Sequence, residues 1–261
     1  SPRDCTGSHP KWNALGNLVA IDFEVTDGIA TVTINRPERL NAMDGDHYRM
    51  LSDAWIKIRD TDQIRAAVVT GAGDRSFSVG ADLKSFTTSQ MALSQTWFKP
   101  VISAINGYCI GGGLTLMLAT DIRICSQDAT FGLAEVKRGV IAANGGTQRI
   151  LKQLPYAVGM EMLLTGDAIS AEEAERWGLV NRVVAKADVL AAAHSFARRI
   201  AENAPLALQA SKELALRSQD MDLASGLRAE QLTLRLLQTS EDNLEGATAF
   251  AEKRKPKFQG R

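Results

Sequence analysis

The hydrophobic period of this chain changes along its length, and that change limits what it can fold into. Up to about residue 145, short apolar or alternating runs suited to strands take turns with runs of helical period. Beyond that point helical patterns dominate. LVAIDFEV (residues 18–25), a turn at Asp27-Gly28 and IATVTIN (29–35) read as a β-hairpin. From Asp44, a suitable N-cap, to Asp60, the residues Met50, Leu51, Ala54, Trp55 and Ile58 share one helical face. AAVVT (66–70) and VISAIN (101–106) read as buried strands. A Gly-rich turn over 107–113, an apolar helix over 114–120 and a strand at IRIC (122–125) follow. Strands alternating with helices predict an α/β core with largely parallel strands. Further helices are expected over 147–154, 159–164, 171–177, 189–202, 205–217, 221–237 and 240–253, with Pro205 at a first helical position. No Pro/Gly/Ser-rich linker intervenes, so core and helical region are expected to pack as one unit.

Length and charge narrow the partners. The chain has 261 residues, enough for one large domain or a domain with an appendage. Thirty basic residues balance thirty acidic ones, which argues against broad electrostatic capture of nucleic acid or of an anionic membrane. Apolar stretches stop well short of the roughly 20 residues a membrane-spanning helix needs. Cys5, Cys109 and Cys125 make neither a disulfide framework nor a CxxC pair, which suits reduced thiols and a cytoplasmic location. Residues 1–17 are polar, without an apolar signal core, and are expected to be loosely ordered.

Several chemistries lack their residues. There is no HExxH, and His9, His47 and His194 lie far apart, so no metal site is expected. No P-loop, dinucleotide fingerprint or GxSxG occurs. Cys109 beside the glycines reads as a small buried residue, and His194 as a surface or packing histidine. Two Gly-rich turns remain, SFSVGADLK (76–84) and INGYCIGGGLTL (105–116), each between a strand and an apparent helix. Such a turn alone is more often tight packing. Two sets of free amides aimed at one point, however, would hold a developing oxyanion. A third segment, TFGLAEVKRGV (130–140), sets Glu135 in an apolar stretch. A lone Glu is ordinarily a solvated surface group, but beside an apolar cleft its pKa would rise and it could shuttle protons.

Together, NRPERLNAM (35–43), FSVGADLK, AINGYCIGGGLTL, FGLAEVKRGV and NGGTQRI (144–150) resemble the crotonase, or enoyl-CoA hydratase/isomerase, superfamily. LTGDAISAEEAERWGLVNRVV (164–184) and FAEKRKPKF (250–258) extend the likeness over nearly everything after residue 18. The resemblance implies an α/β fold, a crotonase-like spiral of ββα turns over 18–195. A helical region over 196–261 would pack on the core and on a neighbouring subunit in a homotrimer or a hexamer of two trimers. It implies an acyl-CoA substrate, with coenzyme A present only as part of the thioester, and no metal or redox cofactor. No nucleic-acid or membrane partner is expected.

The likeness assigns roles residue by residue. The amides of Ala81 and Gly112 match the pair that holds the thioester oxygen. Arg36, Leu40, Ala42, Val79, Gly80 and Leu83 match positions that handle CoA or the acyl group, and Gly111 lies beside them. Phe250 and Lys253 match groups offered by a neighbour's last helix. Two-glutamate hydratases carry one Glu where this chain has Thr115, whereas the second is retained as Glu135. One carboxylate suits the transfer of a proton between two carbons, as in conversion of a 3-enoyl to a 2-enoyl thioester, slightly better than it suits water addition. Hydration, another crotonase-type reaction such as decarboxylation, and acyl-CoA binding without turnover remain open. Asn144 is read either as a polar group near the acyl pocket or, preferably, as a helix N-cap.

Overall fold

A computed structural model describes residues 20–82 and 98–261; Leu83 and the expected loose segment 1–17 lie outside them. The predicted hairpin forms β1 (Ile21–Thr26) and β2 (Ile29–Ile34), antiparallel and in register from Ile21 opposite Ile34 to Thr26 opposite Ile29. Asp27 and Gly28 both take positive φ, the two-residue turn whose twist matches that of paired strands. The helix α1 (Gly45–Asp60) starts where the side chain of Asp44 accepts the amides of Asp46 and His47.

Strands β3 (Ala66–Gly71), β5 (Val101–Ile105), β7 (Ile122–Ser126) and β10 (Arg182–Val184) then add in parallel, giving a six-stranded sheet ordered β1-β2-β3-β5-β7-β10. Both faces of its middle are buried, which is why β3 reads as an unbroken apolar run. Ala67 and Val69 face a large core. Ala66 and Val68, with Ile102, Ala104 and Ile124, face Val189, Ala193 and Ala197 of helix α6 (Val189–Ala201).

A second sheet has four strands of three residues each: β4 (Ser76–Ser78), β6 (Tyr108–Ile110), β8 (Thr130–Gly132) and β9 (Ala168–Ser170). β4, β6 and β8 are parallel, and β9 is antiparallel to β8. Their central side chains Phe77, Cys109 and Phe131 are fully buried in the large core. The chain therefore alternates between sheets, β3 to β4, β5 to β6, β7 to β8, and the short buried helix α2 (Gly112–Leu118) follows β6. This is the expected ββα spiral. The segment 107–113, read as a plain turn, contains β6 and the start of α2. Three residues are too few for a period to register.

α3 (Gly146–Gln153), α4 (Tyr156–Thr165) and α5 (Ala171–Arg176) close the core. α6 runs across the expected 195/196 division. The last helices are α7 (Pro205–Arg217), α8 (Leu223–Leu237) and α9 (Glu241–Ala251). α7 and α8 bury no residue, although Lys212 of α7 reaches the carboxylate of Asp121 at 2.7 Å. Among the described residues no helix is long and apolar enough to cross a membrane.

Candidate active site

The loop after β2 is folded by Asn41, which sequence reading passed over. Leu40 and Asn41 both hold left-handed conformations (φ 54° and 55°), which Asn tolerates better than most residues. The Asn41 side chain is fully buried. Its oxygen accepts the amide of Arg36 at 2.9 Å, and its NH2 donates to the carbonyls of Ala72 (3.0 Å) and Ser76 (2.8 Å). The loop thereby lies along the first Gly-rich turn. Val79 N donates to Leu40 O, Met43 N to Gly80 O and Asp82 N to Met43 O. The Gly80 carbonyl and the Asp82 amide, on either side of Ala81, are thus engaged in this pairing, and the Ala81 N–H itself points away from it. Arg36 closes the loop through Asp82 Oδ2 at 2.9 Å, the Ala42 carbonyl at 3.2 Å and Asp44 at 3.4 Å.

Gly80 takes φ +84°, and a β-carbon there would stand 2.4 Å from Gly112 N, so the two Gly-rich turns touch backbone to backbone. The point where a β-carbon on Gly112 would stand lies 3.6 Å from Ala81 N and 3.2 Å from the hydroxyl of Tyr48 on α1. Gly112 opens α2, so its amide has no acceptor within the helix. At the other end of α2 the buried Arg123 donates to the carbonyls of Leu118 and Thr120 and to Gln153 Oε1, which fixes that helix against α3.

Gly111 N donates to Gly132 O at 2.8 Å, which draws the segment after β8 against the second turn. There Glu135 lies in a 3-10 turn, Ala134–Arg138. Its Oε1 is 3.3 Å from where a β-carbon on Gly111 would stand, and its Oε2 is buried with no hydrogen-bond partner among the described residues. Burial raises its carboxyl above the usual carboxylate range, against the opposing pull of its own backbone amide and of Arg138. Burial, with the charge of Glu135, pushes the Tyr48 phenol up to about 12. Burial likewise holds the Cys109 thiol far too high to serve as a nucleophile.

The structure therefore gathers Ala81, Gly80, Gly111, Gly112 and Glu135, as the sequence suggested, and adds Tyr48. Tyr48 stands three residues before Leu51 and seven before Trp55, so the helical spacing of α1 was a signal for it. Thr115 is only 2% exposed, and its hydroxyl, without a hydrogen-bond partner among the described residues, faces Gly146 at the start of α3. Asn144 is not the N-cap of α3. That position belongs to Gly145, while Asn144 is exposed at φ +53° and its carbonyl accepts Arg149 Nη1. Gly145, itself left-handed at φ 93°, leads into α3 with no side-chain cap bond, so Asn144 lies one residue too early to cap it. Phe250 and Lys253 stand exposed at the end of the chain and form no side-chain hydrogen bond with the site among the described residues. His194 is a packing residue, its ring 3.3 Å from the Thr31 hydroxyl. No group of three His, Cys, Asp or Glu among the described residues is placed to hold a metal ion.

A two-sheet spiral that sets a carboxylate of raised pKa beside paired glycine turns is the architecture of acyl-CoA enzymes of the crotonase fold. Residues 24–261 match the enoyl-CoA hydratase/isomerase family, and the chain belongs to that family. It is 42% identical over 253 residues to the (E)-benzylidenesuccinyl-CoA hydratase of Thauera aromatica, covering 92% of this chain and 99% of that one. It is 40% identical to a carnitinyl-CoA dehydratase of Salmonella arizonae over 89% of this chain and 95% of the relative. Its fold superposes on the crystal structure of an enoyl-CoA hydratase from Mycobacterium tuberculosis H37Rv with a TM-score of 0.90. That pair is 36% identical and covers 93% of this chain and all of the other.

Proposed function

We propose that the chain adds water to an enoyl-CoA thioester, or removes it from the matching 3-hydroxyacyl-CoA, through an enolate, with Glu135 as the carboxylate that moves protons. The observation that carries this reading is the Glu135 carboxyl, raised by burial, its Oε2 unpartnered among the described residues, beside Gly111. A carboxyl of raised pKa both takes and returns a proton near neutrality. In the hydration direction the Glu135 carboxylate accepts a proton from water as the water oxygen bonds C3. The C2–C3 electron pair moves onto the thioester, and the amides of Ala81 and Gly112 hold the enolate oxygen. Glu135 then returns the proton to C2, so the net change is the addition of one water. Every step is served by protein groups, and coenzyme A enters only as part of the substrate.

The activities in the names of the two relatives favour hydration over the isomerisation that a single carboxylate suggests. Isomerisation stands as the second reading because Thr115, a poor acid or base, occupies the other catalytic position. In that case Glu135 removes a C2 proton from a 3-enoyl thioester and returns it at C4.

Arg36, Leu40, Ala42 and Val79, with Leu83 by its place in the sequence alone, are proposed for the CoA side of the site, and Arg36 also ties the loop that bears Ala81. The chain is further proposed to assemble as a homo-oligomer. Leu223 and Leu236 on α8 and Phe250 on α9 are 78%, 73% and 88% exposed in the single chain, large apolar side chains that neighbouring copies would cover. Light scattering at the monomer mass would refute this.

Incubation with short 2-enoyl-CoA and 3-enoyl-CoA, followed by mass measurement of the products, tests the reaction. A product heavier by one water supports hydration. A 2-enoyl product of unchanged mass from the 3-enoyl substrate supports isomerisation. Glu135→Gln is expected to abolish either while thioester binding persists, and turnover equal to wild type would refute the role of Glu135.

A further inference from the structure

The family match accounts for two amides and a carboxylate, but it leaves unexplained why a tyrosine hydroxyl stands against them. Tyr48 Oη lies 3.2 Å from the point a β-carbon on Gly112 would occupy, and Ala81 N lies 3.6 Å from the same point. With the amide of Gly112 itself, three hydrogen-bond donors stand close to one point, while Glu135 Oε1 flanks the neighbouring Gly111. The ring is half-buried on α1, which Asp44 caps and which Leu51, Ala54, Trp55 and Ile58 anchor in the core. Its hydroxyl makes no side-chain hydrogen bond with any described residue, although it sits beside polar backbone. A partly buried hydroxyl ordinarily finds an acceptor.

We infer that the acceptor is the substrate, and that Tyr48 is a catalytic residue, a third donor to the thioester oxygen that strengthens as the oxygen becomes an enolate. The inference rests on the enolate reading above. Burial and the charge of Glu135 keep the phenol protonated, so it donates a hydrogen bond without losing its proton. A hydrogen bond to a charged acceptor contributes more than one to a neutral carbonyl. Removing the hydroxyl should therefore weaken the enolate far more than the ground-state thioester.

The test uses two ligands that need no turnover. Acetoacetyl-CoA ionises to an enolate whose ultraviolet absorbance differs from that of its keto form. Butyryl-CoA is a saturated thioester that reports ground-state binding. Wild type is expected to bind acetoacetyl-CoA with a raised enolate fraction. In Tyr48→Phe the enolate-to-keto ratio should fall about tenfold or more, while butyryl-CoA affinity changes less than about threefold. A wild-type ratio in the variant, or an equal loss for both ligands, overturns the role of Tyr48 and leaves the enolate reading standing. Failure of wild type to favour the enolate overturns both. Should Tyr48→Phe fold poorly, 3-fluorotyrosine at position 48, a stronger donor of nearly the same shape, should raise the ratio; an unchanged or lower one would overturn the inference.

Discussion

Gly80→Ala should disable the site while sparing most of the fold. The new β-carbon would stand 2.4 Å from the backbone nitrogen of Gly112, where ordinary contact needs about 3.4 Å, so the two turns must part by about 1 Å. Neither partner is a flexible side chain: Gly80 O is held by Met43 N at 2.7 Å, and Gly112 begins a helix buried almost throughout. A misplacement of about 1 Å between groups that bind one reacting oxygen costs on the order of 100-fold in rate, or about 2.7 kcal/mol. Alanine at positive φ adds about 1 kcal/mol of strain, and the clash adds about 1–3 kcal/mol to the loss of stability. The assay is steady-state turnover of the best enoyl-CoA substrate beside urea denaturation, with Gly139→Ala as control. Gly139 also has positive φ (75°), but among the described residues nothing lies within 4 Å of its β-position, so it reports strain without the clash. Refutation would be a folded Gly80→Ala protein whose kcat stays within threefold of wild type, for then the spacing of Ala81 and Gly112 is not what the reaction uses.

Other substitutions separate structure from chemistry. Asn41→Ala leaves the Arg36 amide and the Ala72 and Ser76 carbonyls without their partner and puts alanine at φ 55°, so urea denaturation should show a loss of about 4 kcal/mol. Less than about 1 kcal/mol would mean that water replaces the side chain. Thr115→Val removes a buried hydroxyl with no partner and should raise stability by about 1 kcal/mol by the same measurement. A substantial fall in turnover would instead bring that hydroxyl into the chemistry. Burial raises the Glu135 carboxyl above its unfolded value, so between the two values the folded chain keeps a proton that the unfolded chain has lost. Stability therefore falls as pH rises through that window. Thermal melting should show Glu135→Gln gaining on wild type as pH rises above the ordinary carboxylate range, and a pH-independent difference would contradict the raised carboxyl.

What could be read in the sequence was what local chemistry decides. Asp27-Gly28 specifies its turn, Asp44 its helix start and Pro205 the opening of α7, each within a few residues. The second sheet could not be read, because Phe77, Cys109 and Phe131 are each the lone inward residue of a three-residue strand. Their pairing is imposed by the long strands beside them. The site divides in the same way. Glu135 and the glycine turns carry recognisable motifs, whereas Asn41 acts through hydrogen bonds across 31 and 35 residues that no local pattern encodes. Asn144 shows the limit of propensity: Asn suits both an N-cap and a left-handed position, and here the second prevailed.

The alternation of the chain between its two sheets also bears on the order in which the molecule is built. Each ββ crossing meets mainly the crossing next to it, so the core grows as a short stack of like units, as repeat proteins do. Ala81, Gly112 and Glu135 follow three successive crossings, at β4, β6 and β8. The candidate site is therefore a property of the completed stack and of no single unit. During refolding, protection of the β3 and β5 amides against hydrogen exchange should precede recovery of thioester binding; recovery of binding first would show that the site organises the stack.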